Sequence, residues 1–181
     1  MKKIKIRQTL QDSLKNEDVI RITRSKIDNE PIHCVPLVIG EGIVLVHYIY
    51  DFQFDGYKII RTNDVTSVRV KEIEKYVKQI LLQEGLFEQD KYSFLSNLKG
   101  WQDTFDKLKN LGKNVIIECE NPKNRGFYIG KISEVNVDSL LLLNFNALGR
   151  WDPTATKINF KEITCVTIEN RYINIMVKYI K

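Results

Sequence analysis

The sequence predicts a mainly β protein, built as a tandem duplication of one small unit that opens with a helix. Two observations lead to this prediction. Short apolar runs rich in β-branched and aromatic residues follow one another through turns that contain Gly, Asp or Asn, which is typical of antiparallel sheets. The order of these runs in residues 1–85 then recurs in residues 101–181. Consecutive short strands joined by tight turns favour a strongly bent sheet or a small open barrel in each unit.

The first unit, residues 1–85, begins with a short amphipathic helix. It is predicted over Thr9–Lys15, because Leu10 and Leu14 lie one helical turn apart. Strands are predicted next at Val19–Ile22, Ile32–Ile39, Ile43–Tyr50, Tyr57–Ile60 and Val65–Val70. Pro36 falls within the second of these strands. Because proline donates no backbone hydrogen bond, it indicates either an edge strand or a bulge there.

The third and fourth strands are predicted to form a hairpin. Its turn is expected at Asp55-Gly56, since a type I′ turn needs positive φ at both central residues and Asp-Gly suits it. The segment that follows Val70 has apolar residues at helical spacing and Gly85 in the position of a C-cap glycine. We therefore expect a helix there, packed by Ile73, Val77, Ile80 and Leu81.

Residues 86–100 are predicted to be a packed connector, and residues 101–181 the second unit. Trp101–Phe105 corresponds type for type to Leu10–Leu14. Further along, Asn121–Gly126 corresponds to the turn cluster Asp28–Pro31, and Glu162–Val166 to Asp64–Val68. Gly130 indicates a bend or bulge in the strand Phe127–Val137, and Leu140–Phe145 is the next strand. The pattern leaves open whether each unit closes with a strand or a helix. Because so small a unit buries only a modest core, we expect the two units to pack as an intramolecular pseudodimer.

The hairpin region resembles a recurring pattern of uncharacterised bacterial proteins. In that pattern an apolar strand is followed by Asp, a hydrophobic-Asp-Gly-Tyr turn, an Arg and an Asp-Val/Ile-Thr. The residues that carry the resemblance here are Asp51, Phe54, Asp55, Gly56, Tyr57, Arg61, Asp64, Val65 and Thr66. A helix followed by five short strands is also similar, in topology, to the Sm-like and SH3-like small barrels. Neither resemblance implies an activity or a cofactor. The chain lacks the Asp-x-x-Met-Asn of RNA-binding Sm proteins, and its only Arg-Gly pair, Arg125-Gly126, comes early in the second unit.

Composition places the chain among ordinary globular proteins, with 43% hydrophobic and 28% charged residues. No apolar run approaches the roughly 18 residues that cross a bilayer, and the basic N-terminus is not followed by the apolar segment of a signal peptide. The expected location is therefore the cytoplasm. The three cysteines, Cys34, Cys119 and Cys165, form no CxxC pair, so we interpret them as small apolar strand residues rather than disulfide or metal positions.

Catalytic motifs are absent from the sequence. It contains neither GxxxxGK[ST] nor GxGxxG, and no serine or threonine has the context of a nucleophile elbow. Asp51 and Asp64 flank the hairpin and are expected to pair with Arg61 rather than to form an acid–base couple. His47 lies in an apolar strand and is interpreted as a packed histidine. We therefore predict a protein that is not an enzyme and holds no metal or cofactor.

The second unit carries the best candidate for a binding surface. Residues 91–181 contain 14 basic and 9 acidic residues, whereas residues 1–90 contain 14 of each, so the whole net charge of +5 lies in the second half of the chain. Basic and aromatic residues alternate there at Lys123, Arg125, Phe127, Tyr128, Lys131, Arg150, Trp151 and Lys157. Cations neutralise phosphates and aromatic faces stack on bases. The sequence thus predicts a non-enzymatic binding or interaction module, with a protein or RNA partner. Single-stranded nucleic acid binding by the second unit is the alternative, and an enzyme is the third.

Overall fold

The computed structural model describes residues 2–87, here called the first half, and residues 95–181, here called the second half. The first half contains α1 Lys2–Asn16, β1 Ile20–Arg24, β2 Asp28–Ile39, β3 Ile43–Tyr50, β4 Gln53–Arg61, β5 Ser67–Arg69 and α2 Glu72–Gln83. The second half contains α3 Trp101–Asn110, β6 Asn114–Cys119, β7 Gly126–Val135, β8 Ser139–Asn144, β9 Thr156–Asn159, β10 Cys165–Ile168 and α4 Arg171–Met176. None of the described helices is long and apolar enough to cross a membrane.

The strands form one continuous sheet in the order β5-β1-β2-β3-β4-β10-β6-β7-β8-β9, and every neighbouring pair is antiparallel. The prediction of a mainly β protein with helices is confirmed. The prediction of two small barrels is wrong, because the sheet stays open, with β5 and β9 as its two edges. Strand β4 does not pair with β5, as closing a barrel within the first half would require. It pairs instead with β10 of the second half.

Strands β4 and β10 contribute to two hydrophobic cores that lie on opposite faces of the sheet. Ile60 and Cys165 are directly opposite each other and belong to the core of the first half, together with Leu10 of α1. Ile59 and Val166, one residue along, belong to the larger core that contains Phe105 of α3. Successive side chains of a strand point to opposite faces, so the two strands are buried on both sides.

Several predicted elements are confirmed. The third strand runs over Ile43–Tyr50 as predicted, and the helix after Val70 is α2, which is followed by Gly85 in the left-handed conformation (φ 66°). The N-terminal helix is longer than predicted and spans Lys2–Asn16. The closing segment of the first half is the helix α2, and that of the second half contains α4. Residues 88–94 of the predicted connector lie outside the described residues, and in its described part Leu95 and Leu98 are fully buried.

The position predicted for the hairpin turn is wrong. The β3–β4 turn lies at Asp51-Phe52, whose φ angles are 45° and 59°, as a two-residue hairpin turn requires. Asp55 and Gly56 lie inside β4, at a shift of register between β3 and β4. Gly56 has a φ of 70°, and a Cβ atom there would lie 2.5 Å from both the Asn170 nitrogen and the Ile168 oxygen. The Asp-Gly pair therefore allows β4 to approach the end of β10 closely.

The sequence also indicated irregularities at Pro36 in β2 and at Gly130 in β7, and the register of the sheet shifts near both. Pro36 lies in β2, between β1 and β3, and the register with β3 shifts between Pro36 and Val38, so the bulge interpretation is confirmed and the edge interpretation is wrong. In β7 the register shifts between Ile132 and Glu134, two residues after Gly130. A Cβ atom on Gly130 would lie 1.9 Å from the Leu143 oxygen, so this glycine permits a close backbone approach.

Gly56→Ala is expected to destabilise the protein by about 3 kcal/mol or more, because the new methyl group meets backbone atoms of the second half in addition to the cost of a left-handed L-residue. Gly42→Ala is the matched control. Gly42 has a φ of 74°, but a Cβ atom there would have no described atom within 4 Å, so only the conformational cost of about 1 kcal/mol is expected. Urea unfolding of both variants tests this. Equal losses in the two variants would contradict the close approach of β4 and β10.

Candidate ligand-binding surface on the second half

The β7 strand divides the predicted basic and aromatic residues between its two faces. Phe127 is paired with Glu118 and Lys131 with Asn114, and alternation places both on one face. Tyr128 is paired with Ile117, lies on the opposite face and packs against the core of the second half. Phe127 remains 63% exposed. The Phe127 ring thus presents exposed apolar surface near the start of an internal strand of the sheet.

Lys123 and Arg125 lie in the exposed β6–β7 turn, which leads directly to Phe127. Lys131 and Lys157 are also exposed, on β7 and β9. None of these four side chains forms an ion pair or hydrogen bond in the part of the chain that the structure describes. Their charges are therefore available to an anionic ligand.

The loop between β8 and β9 holds the remaining predicted residues, Arg150 and Trp151. The Asn146 side chain organises this loop by accepting hydrogen bonds from the Leu148 nitrogen (2.9 Å) and the Arg150 nitrogen (3.2 Å). The Trp151 ring packs edge-on against Phe145, with 5.7 Å between the ring centroids. Trp151 is thus half-buried, whereas Arg150 stays exposed. The predicted basic residues therefore do not form one continuous strip. Lys123 and Arg125 lie in the β6–β7 turn, and Arg150 lies in the β8–β9 loop.

Phe127 separates two concavities. The first is a groove of about 350 Å³ between the halves, whose lining includes Asp28, Glu118, Glu120 and Arg125. The second is a pocket of about 330 Å³ at the open end of the second half. Its aromatic residues are Phe127, Tyr128 and Phe145, and its polar ones include Asn144, Asp152 and Thr156. Sequence reasoning missed Asn144 and Asp152. The only local signal is that Asn144 ends the apolar run Leu140–Leu143 with a polar residue.

A largely buried ion pair between the halves includes Glu120, one of the residues that line the groove. Arg24, 4% exposed, donates two hydrogen bonds to Glu120, at 2.5 and 3.0 Å, and the Thr164 hydroxyl, whose single proton is shared with the Glu118 carbonyl, lies 2.5 Å from the same carboxylate. Burial alone lowers the pKa of Arg24, but the hydrogen bond to Glu120 and the nearby Cys165, Glu120 and Glu118 side chains together raise it more, so its net pKa is raised. Because both carboxylate oxygens are occupied, Glu120 serves to join the halves rather than to bind a ligand.

Burial keeps one phenol and two thiols of the second half protonated. Burial raises the pKa of Tyr128, with a further rise from Cys119 and Glu162, so its phenol remains protonated at neutral pH. Burial raises the pKa of Cys119 to about 11 and that of Cys165 to about 12. All three cysteines are buried free thiols in strands, as interpreted from the sequence. Among the described residues no group of three or more His, Cys, Asp or Glu side chains is placed to hold a metal ion.

The residues of the bacterial pattern have structural contacts. Asp55 accepts a hydrogen bond from the Arg171 nitrogen at 2.7 Å, at the start of α4. The Arg61 guanidinium donates to both oxygens of Asp64, at 2.7 and 3.1 Å, and to the Lys161 carbonyl at 2.7 Å. The expected Arg61–Asp64 pair is confirmed. The expected pairing of Asp51 with Arg61 is wrong, because Asp51 lies in the hairpin turn at the end of β4 opposite to Arg61.

The other aromatic and hydroxyl residues near this motif also have packing roles. His47 is buried and stacked between Phe54 and Tyr57, with centroid distances of 3.8 and 4.4 Å. The Thr66 hydroxyl donates to the Thr23 carbonyl at 3.0 Å. The motif therefore fixes β4 and the junction between the halves.

Comparison of the chain with protein-family models, with curated proteins and with solved structures gives no match.

Arg24→Ala is expected to lower the free energy of unfolding by about 2–4 kcal/mol, because it leaves the partly buried Glu120 carboxylate without its cation. Lys75→Ala is the control. It removes an exposed ion pair with Glu72, for which a loss of about 0.5 kcal/mol or less is expected. Urea denaturation measures both. A loss below about 1 kcal/mol for Arg24→Ala would show that this pair does not hold the halves together.

Proposed function

We propose that the protein is a non-enzymatic binding module formed by two fused copies of one five-stranded unit, and that its ligand binds the second half. The observation that carries this proposal is the position of Phe127. Its ring is exposed on a strand between two concavities, beside Arg125, which has no partner among the described residues. Large exposed aromatic rings at concave surfaces mark binding sites more often than scattered surface residues do.

The strand order supports the duplication. The order β5-β1-β2-β3-β4 of the first half has its counterpart in β10-β6-β7-β8-β9 of the second, strand for strand along the chain. Helices α1 and α3 occupy the same place before these strands, and Ser13 and Thr104, at corresponding positions of the two, are both buried. Short 3-10 turns, Thr62–Asp64 and Phe160–Glu162, precede the last strand of each half.

Matching hydrogen bonds give further support. Thr66 bonds to the Thr23 carbonyl through its backbone nitrogen (2.8 Å) and its hydroxyl (3.0 Å). Thr164 bonds to the Glu118 carbonyl in the same two ways, both at 2.9 Å. Such paired local geometry is expected of two copies that have diverged in sequence but kept their turns.

Single-stranded nucleic acid is the ligand class that the charges favour. Exposed cations without side-chain partners in the described part of the chain, among them Lys123, Arg125 and Arg150, flank the aromatic residues of the pocket. Single-stranded nucleic acid is recognised by this combination, since cations bind the backbone and aromatic rings stack on bases.

Fluorescence anisotropy with a labelled single-stranded RNA tests this function. Affinity is expected to fall steeply between about 50 and 200 mM salt, because phosphate binding releases counterions. Phe127→Ala is expected to weaken binding at least about fivefold through lost stacking, and Arg125→Ala to weaken it and flatten the salt dependence. Tyr76→Ala and Arg7→Ala are matched controls, since both residues are exposed in the first half. Absence of binding at low salt would remove nucleic acid as the ligand.

A single cooperative unfolding transition is expected for the whole chain, because β4 and β10 serve both cores. Calorimetry of the intact protein and of residues 95–181 alone tests the pseudodimer. Two well-separated transitions, with a stably folded isolated second half, would contradict it.

A further inference from the structure

The pocket at the open end of the second half contains a buried polar group without a partner. Asn144 is 9% exposed, and its Nδ2 atom donates to the Thr156 hydroxyl at 2.8 Å, which fixes the orientation of the amide. The Oδ1 atom is buried and has no hydrogen-bond donor among the described residues. An unfilled buried acceptor is costly, so a ligand or water that supplies a donor here is favoured.

Asp152 adds a second acceptor to the same pocket. Its backbone nitrogen donates a hydrogen bond to the Asn144 carbonyl at 2.8 Å, so the two residues lie side by side where the chain enters the β8–β9 loop. Its half-buried carboxylate has no ion pair or hydrogen bond in the described part of the chain. The pocket lining thus includes the acceptors of Asn144 and Asp152 beside the exposed Phe127. The rest of the lining is Tyr128, Ile129, Phe145, Asn146 and Thr156.

We propose that this pocket binds one unpaired guanine base of a single-stranded nucleic acid; this inference rests on the function proposed above. Guanine is the base that offers two adjacent donors, N1–H and the 2-amino group, to one carboxylate, here that of Asp152. Adenine presents an acceptor at N1 instead, which a carboxylate repels. The exposed Phe127 ring provides stacking surface for the planar base. Arg125 lines the neighbouring groove and Arg150 lies two residues before Asp152, so both can neutralise the adjoining phosphates.

An arginine side chain of a peptide also offers paired N–H donors. The surroundings disfavour it, because the loops on both sides of the pocket carry exposed cations, Arg125 on one and Arg150 on the other, that repel a basic peptide. The same cations attract a polyanion.

Anisotropy with four labelled RNA heptamers tests the inference: U3GU3, the inosine analogue U3IU3, U3AU3 and U7. We expect U3GU3 to bind about tenfold more tightly than U7 and U3AU3, as a bidentate base contact provides, with U3IU3 intermediate because it lacks the 2-amino donor. Asp152→Asn is expected to reduce the preference for U3GU3 over U7 to about twofold or less. Asp106→Asn, at an exposed position of α3, is the matched control and keeps the preference.

Failure of this inference is distinguishable from failure of the proposed function. Equal binding of all four heptamers at low salt would overturn the guanine pocket and leave nucleic-acid binding in place, whereas no binding of any heptamer would overturn both. Tighter binding of an arginine-containing heptapeptide than of U3GU3 would also overturn it. Amide chemical shifts on titration of the unmodified protein with U3GU3 provide a test independent of variants. The largest changes must include Phe127, Asn144 and Asp152, and changes confined to other regions would refute the assignment.

Discussion

The hydrogen-bonded pairing of β4 with β10 is the interaction on which the rest of the structure depends. It joins two five-stranded halves into one sheet, and its side chains fill the cores on both faces, Ile60 and Cys165 on one and Ile59 and Val166 on the other. Full burial of a side chain of this size contributes about 1.5–3 kcal/mol. Loosening this one pair of strands therefore exposes apolar surface in both of these cores at once.

The polar contacts at the junction explain why the two halves differ in their surfaces. Arg24 and Arg61 of the first half each donate to groups of the second half, to the Glu120 carboxylate and the Lys161 carbonyl. These first-half cations are occupied by the fold itself. Arg125 and Arg150 of the second half have no such contact with the other half and stay exposed.

The sequence predicted local elements better than their arrangement. Strand β3 and helix α2 were predictable because their patterns are local, whereas the Asp55-Gly56 turn was misplaced because Gly56 is required by a contact with residues more than a hundred positions away. Asp51-Phe52, which forms the actual turn, has no glycine to indicate it. Similarly, strand alternation along β7 is enough to predict that Tyr128 and Phe127 point to opposite faces. The proximity of Asn144 and Asp152 is not predictable in this way, because the β8–β9 loop folds back to bring them together and no residue spacing indicates it.

The distance along the chain between β4 and β10 also matters during synthesis. Strand β4 ends at Arg61, and β10 begins only at Cys165, about a hundred residues later. At typical translation rates of roughly 5–20 residues per second, the edge of β4 waits on the order of 5–20 s for its partner. During that interval Tyr57 and Ile59 form an apolar strand edge open to other chains on neighbouring ribosomes. Expression at lower temperature or with a chaperone that shields such an edge should therefore favour the yield of correctly paired protein.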